Sequence, residues 1–509
     1  TSSDRQPETT AANPTIASIA SGDWSSAATW NPARVPNGND IVAINAAHAV
    51  RVTDANAIAK IIGIKAGGTL RFRTDIDTKL AVATLLVMEG GTLEVGTKMT
   101  PVMPNVVAEI MIRDSAPDTG TVQIPGADPS QYGTGIIGLG NIMLNGATKN
   151  PAFVRLATEP KAGNTTLALS QAVTGWKAGD RLILPDTRHL LWNDFNAFTG
   201  QWEELTLTGV SSDGKTLTLA ASLQFNHAGA RDMNGTLAFL PHVGNLSRNI
   251  LIHSANPAGT RGHVLLTHKA NVAIRYVEFS DLGRTSTDST NDTTTDSNGK
   301  ITHIGTNQRG RIPLYLHGVI GSQTPPAGQP VSSLIGNSIR NQTTSKPLPR
   351  WGIGLDSGSS NGVVRDNVTY HIAGAAIMIS GSSTLPNLIE HNFLVRTMPD
   401  VAQLQMFGEN GYARVLVDNQ DPLGYDGTGI YSYVGAGNNA FHDNVAADFG
   451  NTGFTFLFGV VKDSSNNEAY GPGSTGYAFP GVGQAWGFND DSRAGESVVR
   501  AGRVWNVFQ

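Results

Sequence analysis

Two stretches of the sequence carry the same pattern and decide the fold: Ala57–Phe72, AIAKIIGIKAGGTLRF, and Val82–Val95, VATLLVMEGGTLEV. Each contains an apolar strand, a Gly-Gly-Thr-Leu turn and a second strand, and the glycine pairs begin 23 residues apart at Gly67 and Gly90. A third, looser copy is Gly138–Gly146. A unit of this length is about one rung of a parallel β-solenoid, in which each rung buries its apolar face against its neighbours.

A second repeat occupies the C-terminal half and aligns on an asparagine. Its copies are Leu334–Asn337, Val364–Asn367, Ile389–Asn392 and Phe441–Asn444. Successive asparagines are 30, 25 and 52 residues apart, and the last gap is close to two rungs of 26. Asparagine tolerates the left-handed backbone of a turn and satisfies buried backbone groups. We therefore predict that these asparagines are structural and bond to the copy on the next rung.

Composition agrees with a turn-rich β protein and excludes several classes. Of 509 residues, 58 are Gly and 15% are charged, against about 25% in an average globular protein. The net charge is −5, and the charged residues form no runs of one sign. The sequence therefore contains no basic patch of the kind that binds nucleic acid. The absence of Cys excludes disulfides and thiol catalysis, and no apolar run is long enough for a membrane helix.

The remaining segments suggest how the chain is divided. We expect a flexible N-terminal segment at 1–20, a β domain at 21–150, a β-rich connecting segment at 151–245 and a solenoid at 246–509. No long amphipathic helix is evident. Two polar stretches, 285–300 and 321–332, are predicted to be loops inserted between rungs and to build a groove.

Several ordered blocks resemble one known family. The N-terminal block is Gly22–Trp30 with Arg34–Val42, and it is similar to the start of the G-eight domain, named for its eight glycines. Further blocks follow in the family's order: Trp176–Pro185, Trp202–Glu204, Leu246–Ile250 and Arg309–His317. The chain thus resembles the family of the cell-migration-inducing hyaluronidase and its bacterial relatives, from about Gly22 to about Arg396.

The resemblance implies an all-β fold, a right-handed parallel β-helix with the G-eight segment stacked on or beside it and with long inserted loops. It also implies an extracellular role on an acidic polysaccharide of the hyaluronan or glycosaminoglycan type. Two departures stand out. The globular module that interrupts the animal proteins is missing after Asn145, and Tyr315 stands where the family block has the first of two histidines.

Strand alternation separates the residues of the block at Arg311–His317. Ile312, Leu314 and Leu316 fall on one face, while Arg311, Tyr315 and His317 fall on the other. With the apolar face inside, the second face would present a guanidinium, a phenol and an imidazole to a uronate-bearing sugar. The alternative is an exposed strand that only bonds to neighbouring loops.

A metal site or an acid/base cluster is a second hypothesis. His263 and His268 lie five residues apart, and Asp281 follows about one rung along. Together with His317 they would form a site for a divalent cation, calcium or zinc, if the fold brings them together. For any one of these histidines the alternative is a structural role between loops.

Carboxylates and aromatic residues supply further candidates. Glu204 and Asp356 are candidate catalytic acids, because glycoside hydrolysis needs two carboxyls about 5 to 10 Å apart and the neighbours Glu203 and Glu204 point to opposite sides. Asp186 is another choice for the second carboxyl. Candidate substrate-binding residues are Tyr431, Tyr433, Arg350 and Trp351.

Together with the family resemblance, these residues predict a secreted or periplasmic carbohydrate-active enzyme that depolymerises an acidic polysaccharide in a groove along the β-helix. Hydrolysis would use a carboxyl such as Glu204 or Asp356 as the acid, while β-elimination would use Arg, His or Tyr as the base with Arg311 or a cation neutralising the uronate. The alternative is a non-catalytic carbohydrate-binding or adhesion protein. We expect a monomer without an organic cofactor, a nucleic-acid partner or a membrane span.

Overall fold

The structure is a computed structural model. The described residues are 13–115, 128–188, 200–232, 234–320, 330–342, 348–356, 358–381, 385–397, 427–432, 439–450, 452–456, 463–471, 475–478, 499–500 and 503–505. Residues 1–12 of the predicted flexible segment and 321–329 of the second predicted loop lie outside them.

Nearly every element of the described residues is a β-strand, and a 3-10 turn at Ala27–Thr29 accompanies them. The first strands are β1 Ile16–Ser18, β2 Gly22–Asp23, β3 Trp30–Asn31, β4 Ile41–Ile44, β5 Ala49–Val52, β6 Ala57–Ile64, β7 Thr69–Phe72, β8 Thr78–Val87, β9 Thr92–Val95, β10 Ala108–Ile112, β11 Gly135–Gly138 and β12 Asn141–Asn145. The middle strands are β13 Phe153–Arg155, β14 Thr166–Ala168, β15 Arg181–Leu184, β16 Glu203–Val210, β17 Thr216–Leu219, β18 Ala230–Arg231, β19 Leu237–Phe239, β20 His242–Asn245, β21 Ile250–Ser254, β22 Val264–Thr267, β23 Asn271–Arg275, β24 Val277–Ser280, β25 Thr294–Thr295, β26 Ile301–His303 and β27 Leu314–His317. The last strands are β28 Ser332–Ile335, β29 Ser338–Arg340, β30 Trp351–Asp356, β31 Gly362–Arg365, β32 Val368–Ile372, β33 Ala375–Ile379, β34 Leu388–Glu390, β35 Phe393–Thr397, β36 Thr428–Ser432, β37 Ala440–His442, β38 Val445–Phe449, β39 Thr452–Phe456, β40 Asp463–Ser465, β41 Glu468–Tyr470, β42 Thr475–Ala478, β43 Val499–Arg500 and β44 Arg503–Trp505.

The strands belong to two compact units. The first unit contains Thr1–Ala147, Asn249–Ser332 and Gln342–Gly354, and the second contains Thr148–Arg248, Ser333–Asn341 and Leu355–Gln509. No helix of the described residues has the length and hydrophobicity to cross a membrane.

The first unit is a stack of parallel rungs. β6 pairs with β8 so that Ala57 lies opposite Leu80, and β7 pairs with β9 so that Leu70 lies opposite Leu93, an offset of 23 residues as the repeat predicts. The looser copy is also confirmed, because β12 pairs in parallel with β9. The inward-facing apolar residues of these strands, such as Ile62, Leu85 and Leu93, are buried inside the stack.

The N-terminal repeats continue directly into later rungs of this unit. β10 pairs in parallel with both β8 and β21, and β12 pairs in parallel with both β9 and β23. The G-eight-like segment is therefore stacked on the β-helix as its first rungs. In the predicted loop 285–300, β25 pairs with β26 as a short antiparallel hairpin.

In the second unit the asparagine repeat marks one corner of each rung. β29, β32, β35, β38 and β41 pair in parallel in that order, and a side-chain ladder runs beside them. The Nδ2 of each ladder residue donates to the Oδ1 of the next at 2.9 to 3.0 Å, along Asn337, Asn367, Asn392, Asn444 and Asn467. All five are buried, so the predicted structural role is confirmed.

One detail of the repeat prediction is wrong. Phe393 of β35 lies directly opposite Val445 of β38, so the 52-residue gap between Asn392 and Asn444 is a single rung that carries an insertion. A gap of twice the rung length does not by itself distinguish two rungs from one rung with a long loop, because only strand pairing fixes the register.

The segment 148–248 adds an antiparallel sheet to this unit. Its strand order is β13-β20-β15-β16-β17-β14, and one face forms a core of its own around Leu182, Leu207 and Trp176. The opposite face, including Phe153 and Ile183, packs on outward-facing residues of the β-helix such as Val368, Phe393 and Val395. The rungs beneath the sheet are thus apolar on both faces, because the sheet keeps water from their outer side.

Candidate functional site

The predicted Arg311, Tyr315 and His317 face is covered rather than open. Arg311 and Tyr315 are 5% and 3% exposed, and His317 is partly exposed. The Arg311 guanidinium donates to the carbonyl oxygens of Gln131 at 3.0 Å, Ser130 at 2.6 Å and Arg309 at 2.8 Å. Its hydrogen bonds hold backbone segments, so the prediction that Arg311 clamps a uronate is not supported by its geometry.

The neighbouring aromatic residues are equally enclosed. The Tyr315 ring lies 5.5 Å from the His317 ring and 6.2 Å from the Trp351 ring, measured between centroids. Trp351 and Arg350 are fully buried, and the Arg350 guanidinium lies 5.7 Å from the Trp351 ring. This cluster packs the first unit, and its residues are not placed to contact a polysaccharide as predicted.

The four predicted metal ligands do not form a common site. His263 is fully buried, and its Nδ1 lies 3.0 Å from an Arg284 nitrogen, while His268 is exposed at a turn and its Nδ1 bonds to Thr267 at 2.9 Å. Both carboxylate oxygens of Asp281 accept hydrogen bonds from Gln342 at 2.8 Å.

Across the described parts of the chain, no group of three or more His, Asp or Glu side chains is arranged to hold a metal ion. Burial, and then the charges of Arg284 and Arg311, lower the pKa of His263 well below its ordinary value. The imidazole is therefore neutral and packed. The expectation of calcium or zinc remains a prediction without a site in this geometry.

The other predicted residues lie in the second unit or outside the described residues. Asp356, the candidate acid, is 8% exposed and Tyr431, the candidate binding residue, is 5% exposed, so neither side chain is open to a polysaccharide. Tyr433 lies outside the described residues. Glu204 is partly exposed, and it belongs to a cluster of ionisable side chains that only the fold assembles.

This cluster is built on a column of residues whose backbone adopts the left-handed conformation. The fourth residue after the last four ladder asparagines has a positive φ: 62° at His371, 55° at Arg396, 53° at Asp448 and 85° at Gly471. Strand pairing sets these residues above one another on successive rungs. A non-glycine residue in this conformation costs about 1–2 kcal/mol, so contacts of the side chains must offset that cost.

Asp448 is the most perturbed member of the column. It is fully buried, its Oδ2 accepts a hydrogen bond from the Arg396 Nη1 at 3.3 Å, and its Oδ1 has no partner among the described residues. Burial raises its pKa to about 7, Arg396 opposes that rise and Asp186 adds to it. The carboxyl is thus an acid that holds its proton up to about neutral pH.

Arg396 connects Asp448 to the antiparallel sheet. Its guanidinium lies 3.3 Å from the centroid of the Trp202 ring, a cation–π contact. The Trp202 Nε1 donates to the Tyr370 hydroxyl at 2.9 Å, and that hydroxyl donates to the Glu204 Oε1 at 3.0 Å. Burial and the Glu204 charge raise the pKa of Tyr370, so the phenol stays protonated.

A third carboxylate lies beside Asp448. Asp186 follows β15 and is almost fully buried, and its Oδ2 accepts hydrogen bonds from the Arg188 Nη2 at 2.7 Å and from the Gln201 N–H at 2.8 Å. We call the group of Asp448, Arg396, Trp202, Asp186 and Glu204 the acid centre. It reaches solvent through Glu204 and Trp202, which are partly exposed, and through Arg181, which pairs with Glu204 and is 45% exposed.

Sequence reasoning named Glu204 and Asp186 but missed Asp448 and Arg396. The signal was present in the asparagine repeat, because both residues occupy the fourth position after a ladder asparagine. The neighbours Trp202 and Tyr370 are 168 residues apart in the chain, so their contact is a property of the tertiary structure.

The fold defines an all-β protein of the parallel β-helix class. Comparison with protein families agrees: residues 29–157 match the G8 domain and residues 297–478 match the CEMIP beta-helix. The chain therefore carries the G8 domain and the CEMIP-type β-helix that its sequence predicts.

The similar curated proteins are much longer than this chain. Human Fibrocystin-L is 30% identical over 236 residues, which are 46% of this chain and 5% of that protein. Dog Fibrocystin is 28% identical over 163 residues, which are 32% of this chain and 4% of that protein.

Solved structures give a weaker likeness. The tailspike gp61 of Pseudomonas phage phi297 aligns over 90% of this chain and 61% of that chain, at 11% identity and a TM-score of 0.19. A TM-score this low carries no argument about function.

Proposed function

We propose that this chain is a secreted carbohydrate-active protein that hydrolyses an acidic polysaccharide at the acid centre. The single observation that carries the proposal is the Asp448 carboxyl, which is buried, has one oxygen without a partner in the described part of the chain, and has a pKa raised to about 7. A carboxyl that keeps its proton near neutral pH is what the general acid of a glycosidase requires.

In this mechanism Asp448 protonates the glycosidic oxygen of the leaving group. Because Asp448 is fully buried in the free protein, the substrate reaches it only after the partly exposed Trp202 and Glu204 side chains move aside. The second carboxyl comes from Asp186, whose charge adds to the raised pKa of Asp448, or from Glu204, which reaches solvent at the edge of the centre. Either one activates water or attacks the anomeric carbon. The exposed Arg181 supplies a guanidinium for the uronate carboxylate of the substrate.

Hydrolysis is favoured over β-elimination. Elimination needs a base beside the proton α to the uronate carboxylate. Of the predicted residues for that step, Arg311 is engaged with backbone carbonyls, and Tyr315 packs against Trp351. His317 is partly exposed, but the described residues place no free guanidinium beside it to neutralise the uronate. The acid centre instead offers a carboxyl that holds its proton up to about neutral pH, which suits protonation of a leaving group.

The test compares wild type with Asp448→Asn on hyaluronan and chondroitin, with chain length followed by size-exclusion chromatography. We expect wild type to shorten one of these polymers and Asp448→Asn to be at least about 100-fold slower, because an amide cannot donate the proton. The rate of wild type should fall as the pH rises through about 7. Glu89→Gln, at an exposed carboxylate of the first unit, is the matched control.

Three results would contradict the proposal. Equal rates for wild type and Asp448→Asn would remove Asp448 from the chemistry. Products with the ultraviolet absorbance of unsaturated uronates would indicate elimination instead. Tight binding of the polymer without any shortening would favour the alternative, a non-catalytic carbohydrate-binding or adhesion protein.

A further inference from the structure

A polar cleft lies in the second unit at the other end of the strands that carry the acid centre. Its volume is about 390 Å³, within the roughly 300–1,000 Å³ of small-molecule sites. Its lining includes Arg155, Ser170 and Gln171 from the segment 148–248 and His391, Asp443 and Asn466 from the β-helix. His391 precedes β35 and Arg396 lies near its end, so the cleft and the acid centre are about 16 Å apart along the strand.

One wall of the cleft is a second column of residues whose backbone adopts the left-handed conformation. The residue just before each ladder asparagine has a positive φ: 56° at Asp366, 50° at His391, 53° at Asp443 and 56° at Asn466. In the preceding rung this position is Gly336, which adopts the conformation without strain. The side chains on the later rungs therefore cost backbone energy, and the last three are presented to the cleft.

Contacts within the described part of the protein offset the backbone cost of the positive φ at His391, but not at Asp443 or Asn466. The His391 Nδ1 bonds to Asp366 at 2.5 Å, its ring stacks on Phe153 at 4.4 Å, and 37% of its side chain stays exposed. Asp443 and Asn466 are exposed, and their side chains have no hydrogen-bond partner among the described residues. They are free to bond to a ligand.

The charges of the cleft identify the class of ligand. Its cation, Arg155, is held by both oxygens of Glu468 at 2.5 and 3.3 Å and by the Leu240 carbonyl at 2.9 Å, so it is not available to an anion. The Asp443 carboxylate has no ion-pair partner among the described residues, and it disfavours a carboxylate or sulfate ligand. The exposed Ser170 and Gln171 on the opposite wall add uncharged donors and acceptors.

We propose that this cleft is a saccharide-binding site for uncharged sugar residues. The carboxylate of Asp443 and the amides of Asn466 and Gln171 bond to sugar hydroxyls, while the His391 ring, supported by Phe153, contacts the apolar face of a pyranose. The site goes beyond the hydrolysis proposed above and does not depend on it, because none of its lining residues belongs to the acid centre.

The test uses the full chain and four probes. Maltotetraose, cellotetraose and N-acetylchitotetraose are neutral, and a hyaluronan tetrasaccharide is anionic. Isothermal titration calorimetry measures Kd, and saturation-transfer NMR reports contact. Asp443→Gly and Asn466→Gly remove the polar groups without backbone strain, because glycine adopts a positive φ freely. Glu89→Ala is the control at an exposed carboxylate of the first unit.

We expect at least one neutral tetrasaccharide to bind, and each glycine variant to raise its Kd about tenfold while Glu89→Ala leaves the Kd unchanged. The proposal is overturned if no neutral probe binds, if both glycine variants bind like wild type, or if only the hyaluronan fragment binds. Asp448→Asn separates the two proposals, because it should abolish hydrolysis and leave this binding intact.

Discussion

The asparagine ladder allows one stability prediction to be worked through. Asn392 is fully buried, and its Oδ1 accepts hydrogen bonds from the Asn367 N–H at 3.1 Å and from the Asn367 Nδ2 at 2.9 Å. Its Nδ2 donates to the Val364 carbonyl and to the Asn444 Oδ1, both at 2.9 Å. The side chain thus satisfies groups on the rungs on both sides.

Replacing Asn392 with Ala leaves two buried donors of Asn367 without an acceptor. Each buried unsatisfied group costs about 1–3 kcal/mol, so we expect the Asn392→Ala variant to lose about 2–6 kcal/mol of unfolding free energy. The control is Asn298→Ala, an exposed asparagine of the predicted loop 285–300, whose effect should stay within about 0.5 kcal/mol.

Urea unfolding followed by circular dichroism and tryptophan fluorescence measures both variants. Hydrogen exchange then locates the loss, which should concentrate in the rungs that contain Asn367 and Asn444. The reasoning is refuted if Asn392→Ala costs less than about 1 kcal/mol, or no more than Asn298→Ala, since the ladder bonds would then contribute nothing beyond what water supplies.

Two further predictions concern a charge and a turn. The folded state raises the pKa of Asp448 to about 7, so the native state holds a proton that the unfolded chain has lost, and stability should fall as the pH rises from about 4 to about 7. The effect is at most about 4 kcal/mol, and urea titrations at several pH values should find it in wild type and not in Asp448→Asn; parallel pH profiles would contradict it. In the Gly-Gly-Thr-Leu turn of Val82–Val95, a Cβ on Gly91 would lie 2.6 Å from a backbone carbonyl oxygen, so Gly91→Ala should cost about 2–4 kcal/mol in thermal or urea unfolding. Gly163→Ala, at a φ of 89° with open space around it, should cost only about 1 kcal/mol; equal losses would show that the close approach of backbones is not what selects Gly91.

Much of the fold was predictable because the repeats report strand pairing directly. The 23-residue offset of the two Gly-Gly-Thr-Leu units is the register of the paired strands, and the 30- and 25-residue gaps between asparagines are also registers. A solenoid makes this possible, because each rung contacts its neighbours in sequence. The 52-residue gap was wrongly interpreted as two rungs, because an inserted loop and an extra rung increase the spacing between asparagines in the same way.

The candidate site was predictable only in part. Strand alternation correctly assigned Ile312, Leu314 and Leu316 to the interior, but it also predicted that Arg311 and Tyr315 face solvent. A second layer of chain covers them, and alternation contains no information about such a layer. Glu204 was named for its carboxyl, yet its partner Tyr370 lies 166 residues away and entered no sequence argument.

The sequence by itself determined the parallel β-helix, the rung length and the structural role of the asparagines, because each depends on residues at fixed short spacings. Only the tertiary structure decided which polar residues are buried and which meet. The antiparallel sheet covers the outer face of the rungs, removes water from Asp448 and places Trp202 against Arg396. Burial is set by what packs on top of a strand, and the strand's own sequence does not record it.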